Sequence, residues 1–327
     1  MARVPDEIVA MLLPLLLACL SARAQQSRPA TQAAADSSLD LPDMPLLLED
    51  WRVAGAPPPV AGSQRLFRFG AMPYFDYIDY HNSSVKKQAY ASGVYGFAGL
   101  GPNHLVEGEV DYINRADGDF PDLHQWDYTL VYSNFSIPNW KFRVGGHYID
   151  TSDAPSRGGK VAIAGAEYYV AGKWDAGLDA YYSRYNDFNP RMEVYQFSPH
   201  LGFEFLRGGD HHFRNDLKVH WIDLGEDVGV GGRRLFSVDD RLAFMWKQWT
   251  FGASGWIGRQ TFAVRNDGFS VYNLAEEHKG GCGLDAGYAL GEHAAMTVRA
   301  TREFFSEPGV RGDSWSTSII AILSVSF

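Results

Sequence analysis

Glu107, Glu109 and Asp111 fall at alternate positions, so an extended chain carries all three carboxylates on one side. Such a row lines a wet surface with negative charge or collects a cation, and Ca2+ takes several oxygens of this kind. Adjacent cationic side chains are expected to offset it. His211-His212 with His220 has the residue type of a metal site. On one strand, however, His212 and His220 lie roughly 27 Å apart at about 3.4 Å per residue, and His211 and His212 point to opposite faces. No metal is therefore expected. Asp239-Asp240 offers paired carboxylates, but nothing nearby supplies a complementary His-Asp pair, and no Ser/His/Asn arrangement suits a nucleophile. No catalytic residue and no cofactor is assigned, and the chain is read as a non-enzyme. Gly231-Gly232 and Gly280-Gly281 lie in or beside links, where backbone freedom and bulges explain them without a phosphate-binding loop.

The carboxylate row belongs to a pattern that runs from about residue 64 to residue 327. Two-residue alternation sets Trp126, Tyr128, Leu130 and Tyr132 against Asp127, Thr129 and Ser133, and Trp140, Phe142, Val144 and Tyr148 against Lys141, Arg143 and His147. Trp315, Thr317, Ile319, Ala321, Leu323, Val325 and Phe327 likewise oppose Ser314, Ser316, Ser318, Ser324 and Ser326. One face suits lipid and the other water. The segments are commonly ten to fifteen residues long, and a tilted strand needs roughly nine to eleven residues to cross hydrocarbon. Trp140, Trp174, Trp246, Trp249 and Phe327 sit beside tight turns or at the chain end, where an interfacial aromatic girdle belongs.

The face assigned to water carries Arg68, Lys141, Arg143, Arg214, Lys218, Arg241 and Arg299 beside Asp76, Glu107, Glu109, Asp111, Asp127, Glu167, Asp179, Glu204 and Asp285, with Asp175, Asp216, Asp239 and Glu303 completing it. Acids outnumber bases. Two readings stay open: a water-filled pore that favours cations or polar neutral solutes, and an interior cross-linked by opposite charges.

Composition narrows the rest. The net charge of −10 argues against nucleic acid, which requires a basic patch. Residues 8–18 are apolar but too short for a membrane helix, and Ala22-Arg23-Ala24 follows as a small-x-small cleavage site, so residues 1–24 read as a secretory signal peptide. Cleavage removes Arg3, Arg23, Asp6 and Glu7, two of each sign, and takes Cys19 with it. Only Cys282 remains, so no intramolecular disulfide is expected. Residues 25–63, with Pro57-Pro58-Pro59, read as a flexible periplasmic lead-in whose apolar island Met44–Leu48 with Trp51 is the part able to dock. Past residue 24 no eighteen-residue apolar run occurs, and the mean hydropathy is −0.23. A membrane β-barrel escapes hydropathy in this way because its inner half is polar.

Short and long connections alternate. Short turns fall at Gly99–Asn103, Pro138-Asn139, 171–173, Arg207–Asp210, Lys247-Gln248 and Gly291–His293; longer polar links fall near 81–86, 115–124, 151–159, 186–192, 224–234, 265–276 and 305–313. These predict an all-β fold, a closed antiparallel transmembrane barrel of about fourteen strands over residues 64–327. Both termini then lie on the short-turn side, and the first strand pairs with the last, leaving no open edge in lipid.

The closing run Ser-Ile-Ile-Ala-Ile-Leu-Ser-Val-Ser-Phe, apolar at every second position before Phe327, resembles the ends of the bacterial outer-membrane β-barrel superfamily. In size the chain is similar to monomeric fourteen-stranded OmpG-type porins. The resemblance implies residence in the bacterial outer membrane among its lipids and lipopolysaccharide, with short turns in the periplasm. It also implies delivery by the barrel-assembly machinery, for which Phe327, Val325 and Leu323 form the signal. The function expected is passive diffusion of small hydrophilic solutes, with the longer outer links narrowing the mouth. Two alternatives stand beside it: a closed barrel serving as scaffold, adhesin or assembly partner, and a transporter of hydrophobic compounds plugged by the segment around Met44–Trp51.

Overall fold

The computed structural model describes residues 67–327 apart from 119–120, 189–190, 209–210, 228, 230–231 and 308–311. The expected signal peptide and lead-in, including the island at Met44–Trp51, lie outside the described residues. Sixteen strands run in order: β1 (Phe67–His81), β2 (Gln88–Leu100), β3 (His104–Ala116), β4 (Leu123–Asn134), β5 (Trp140–Thr151), β6 (Lys160–Val170), β7 (Trp174–Tyr185), β8 (Met192–Gly208), β9 (His211–Leu224), β10 (Arg234–Trp246), β11 (Trp249–Gln260), β12 (Val264–Arg265), β13 (Ser270–Val271), β14 (Glu277–Ala289), β15 (Ala294–Ser306) and β16 (Ser314–Ser326). Fourteen of them close an antiparallel barrel in which every strand pairs with its sequence neighbour and β11 passes directly to β14; β12 and β13 form a separate two-stranded hairpin.

Closure is made by β1 against β16, in register from Gly70 with Ser326 to His81 with Trp315. Phe69 and Phe327 exchange both backbone hydrogen bonds, at 3.1 and 2.9 Å, so the seam is paired to its end. The alternation in sequence becomes an alternation in exposure. Along β4 the residues from Leu123 to Ser133 are strictly buried and exposed in turn. Leu130, Val144, Val94 and Leu284 cover the outside at mid-strand, while Trp140, Trp174, Trp246, Trp249 and Phe327 are exposed around the short-turn end. A closed wall, apolar outside and paired throughout, is the form of sheet that hydrocarbon tolerates.

The link after β11 departs from expectation. Where the sequence is read as a polar outer link near 265–276, residues 261–276 instead carry Phe262, Val264 and Phe269 into the barrel, where all three are buried. Val264 and Phe269 pack with Met72, Tyr95, Val131, Val161, Ile163, Tyr181 and Ile322. Phe262 and Ala263 pack with Ile149, Tyr185, Met192, Val194, Ile222, Leu224 and Leu235. The inner face is therefore not uniformly polar, because it holds two apolar seats, and burying each large side chain of the link contributes about 1.5–3 kcal/mol. The wall also aims the link. A register shift between Ile257 and Gln260 is centred on Gly258, at φ 131°, where an added Cβ would lie 2.3 Å from the Phe236 carbonyl oxygen. Such a bulge bends the end of β11 and turns the link inward.

Candidate functional site

The hairpin crosses the lumen and is held by polar contacts to many strands. Gln196 of β8 brackets Val264, its Nε2 donating to the Val264 carbonyl at 2.7 Å and its Oε1 accepting from the Val264 N–H at 2.8 Å. Arg265 reaches Asp239 at 2.8 Å and Glu303 at 3.4 Å. Asp267 pairs with Lys218 at 2.5 Å and Arg143 at 3.3 Å, and Arg143 also donates to its backbone carbonyl. Farther along, the Asn273 Nδ2 donates to Gln125 at 2.7 Å and the Ser156 hydroxyl to the Asn273 carbonyl at 2.6 Å. Glu276 pairs with Lys86. Asn266, Asp267 and Gly268 all have positive φ at the hairpin tip, so these contacts hold a turn that an unsupported chain seldom adopts.

Three groups in two links, Lys86 between β1 and β2 and Tyr272 and Glu276 before β14, have displaced ionisation. Burial holds the Lys86 ammonium below its ordinary range, against the pull of Glu276. For Glu276 burial acts to raise the carboxyl, and the charges of Lys86 and His278 outweigh it, leaving it below the usual carboxylate range. Burial pushes the Tyr272 phenol well up. Tyr272 also stacks on His278 with ring centroids 3.9 Å apart, which fastens the end of the link to β14.

Toward the short-turn end the interior is cross-linked. Arg214 lies 2.6 Å from Asp175 and 2.7 Å from Asp216, Arg241 meets Asp285 at 2.9 Å, Lys141 meets Glu167 at 3.1 Å and Glu204 meets His212 at 3.2 Å. Glycines make room for these heads: a Cβ on Gly202 would fall 2.3 Å from Arg214 Nη2, and one on Gly252 would fall 2.3 Å from Asp285 Oδ1.

Between this layer and the hairpin lies a cavity of about 470 Å3. Of the residues assigned to the inner face from sequence, Asp76, Glu109, Asp111, Asp127, Arg143, Glu167, Asp179, Lys218, Arg241 and Arg299 line it, joined by Asp175, Asp216, Asp239 and Glu303. Glu107, Lys141, Glu204, Arg214 and Asp285 fall outside its lining, on the same side of their strands and nearer the short turns; Arg68 lies at the start of β1 beside Gly99. Acids outnumber bases along the cavity wall.

The carboxylate row is divided by the structure. Glu107 accepts from Tyr95 at 3.0 Å and Ser133 at 3.4 Å, whereas Glu109, which accepts from Tyr74 at 2.8 Å, and Asp111 face the cavity. The cations expected to offset the row are not beside Asp111. Its cross-strand partner in β4 is Asp127, another carboxylate, bonded by Gln125 at 2.7 Å and lying 3.4 Å from His147.

Among the described residues no group of His, Cys, Asp and Glu has a metal-binding arrangement. His211 stacks on Phe244 and Trp246 while His212 meets Glu204. Strand pairing brings one histidine to Asp239: His220 Nε2 lies 3.3 Å from its Oδ2. Asp240, next along β10, accepts from Asn215 at 2.8 Å instead.

No family model matches the sequence, and no curated protein does. The fold has solved counterparts. A bacterial polysaccharide outer membrane secretin aligns with a TM-score of 0.51 at 10% identity, covering 79% of this chain and 98% of its own. A Pseudomonas aeruginosa FadL homologue also gives 0.51 at 10% identity, over 88% of this chain and 94% of its own. The fold is that of the bacterial outer-membrane β-barrels.

In such a barrel short turns face the periplasm and long links the exterior. The residues that sequence reasoning missed are Lys86, Gln196, Arg265, Asp267 and Glu276, which dock the hairpin. One signal for them was present: Phe269, Val271, Tyr272 and Leu274 make the link after β11 too apolar for an outer loop.

Proposed function

We propose that this outer-membrane barrel is a channel for passive diffusion of small hydrophilic solutes, that it favours cations, and that the inward hairpin narrows it. The observation that carries this reading is the interior cavity lined by more carboxylates than cations, enclosed by a wall whose outside is apolar. Carboxylates along a constriction raise the local concentration of cations and repel anions. No catalytic role is assigned to any residue. Outer-membrane lipid and lipopolysaccharide are the proposed surroundings, and the barrel-assembly machinery the proposed partner that reads Leu323, Val325 and Phe327.

The test is ion conductance of the refolded protein, lacking residues 1–24, in planar bilayers under a KCl gradient. Cation-biased steps support the channel; anion bias removes the preference. Steps that appear only after residues 25–63 are deleted support a plug by that segment. The hairpin and the ion-paired lower layer favour one further reading, a closed barrel acting as scaffold, adhesin or assembly partner. A silent barrel that still shows heat-modifiable migration supports that reading against the channel.

A further inference from the structure

We propose that Asp111 and Asp127, with Glu109 beside them, bind the ammonium or guanidinium head of an organic cation inside the barrel. The proposal rests on the channel reading for access to the interior and names the class of solute concerned.

Asp111 is only 7% exposed and lines the cavity, yet it has no hydrogen bond or ion pair to any described residue. Directly across the β3–β4 ladder stands Asp127, which accepts from Gln125 and lies 3.4 Å from His147 but pairs with no lysine or arginine among the described residues. Directly opposed residues of an antiparallel pair have Cβ atoms about 4.5–5.5 Å apart, where like charges repel. A carboxylate so shielded from bulk water is costly without a counter-charge.

Four cations that line the cavity are engaged elsewhere. Arg115 forks onto Asp117 at 2.6 Å, Lys86 pairs with Glu276, and Arg143 and Lys218 share Asp179 and Asp267. The site therefore aims opposed carboxyl groups into a cavity and lacks a partner of opposite sign at Asp111.

Size and surroundings select the ligand. A cavity of about 470 Å3 far exceeds a single ion, and no metal-binding grouping occurs among the described residues. Tyr74, Ile113 and Phe269 line the same cavity and offer apolar surface for a carbon skeleton. An ammonium or guanidinium head has several donors for the two opposed carboxylates, with charge-assisted hydrogen bonds to each.

The test is calorimetric titration of spermidine into the refolded barrel in detergent, alongside spermidine block of K+ current in bilayers. Saturable binding is expected, weakened about tenfold or more by Asp111→Asn or Asp127→Asn, the loss of one charge-assisted contact. Heat-modifiable migration verifies that each variant folds. Affinity within about twofold of the parent in both folded variants overturns the proposal, as does Ca2+ displacing spermidine at lower concentration than spermidine itself requires. Should a variant not fold, the parent decides: saturable heat with spermidine and none with glutarate supports the site, and no saturable heat overturns it. A conducting barrel without spermidine binding loses the site and keeps the channel; saturable binding in a silent barrel keeps the site and removes the channel.

Discussion

Asp267→Asn isolates the charge that docks the hairpin. Asp267 sits at φ 53°, a conformation asparagine adopts as readily as aspartate, so the backbone of the turn is undisturbed. The substitution removes the carboxylate 2.5 Å from Lys218 and 3.3 Å from Arg143. Breaking a buried pair costs about 3–5 kcal/mol when the remaining charge is left alone. Here both cations retain Asp179, at 3.3 and 3.6 Å, so about 2–3 kcal/mol is the appropriate share. At about 1.4 kcal/mol per factor of ten, the docked-to-released ratio falls about 30- to 150-fold. Single-channel recording of the refolded variant is expected to show larger or more frequent open steps than the parent, and limited proteolysis to cut within 261–276 sooner. A heat-modifiable variant with the parent's steps and the parent's protease resistance would refute the reasoning, because the hairpin would then be held without these pairs.

Phe269→Ala empties the seat among Tyr95, Ile163 and their neighbours and is expected to weaken docking by about 3–5 kcal/mol, read as faster proteolysis of the hairpin while the barrel itself stays resistant. Gly202→Ala places a methyl 2.3 Å from Arg214 Nη2 and is expected to destabilise the barrel by about 1–3 kcal/mol, seen as a lower urea midpoint for loss of heat-modifiable migration. Acid should release the outer end of the hairpin. Because Glu276 is held below the ordinary carboxylate range when folded, its stabilising contribution is complete above that range and is lost as pH falls through the folded value. Conductance is therefore expected to rise on acidification in the parent, and in Glu276→Gln to be high already at neutral pH; an acid response retained in Glu276→Gln would assign it to another group.

The barrel was legible because its determinants are local. Side-chain alternation along a strand has a period of two whatever the strand pairs with, and turn residues such as Asn139 and Lys247, both at positive φ in the structure, mark the ends. The hairpin was not legible for the opposite reason. Its contacts join Arg143 to Asp267, Gln125 to Asn273 and Lys86 to Glu276, separations of 124, 148 and 190 residues. No spacing rule reaches across such distances, and the apolar residues Phe269, Val271, Tyr272 and Leu274 signal that the link seeks cover without saying where on the wall it docks.

The carboxylate row shows where the boundary falls. Its common face is a property of β3 alone and could be read directly. Whether a cation or another acid stands opposite depends on the β3–β4 register, across a connection too long for turn geometry to set it. The register places Asp127 against Asp111. The expectation of neighbouring cations fails at Asp111, while Arg143, Lys218 and Lys86 are engaged by Asp179, Asp267 and Glu276. The hairpin thus engages cations that Asp111 and Asp127 do not hold, and releasing it leaves Arg143 and Lys218 neutralised by Asp179 alone. Asp267→Asn is then expected to reduce cation selectivity while it raises conductance, a pairing of effects that simple widening of a pore would not separate from a change of charge unless reversal potentials are recorded in the same experiment.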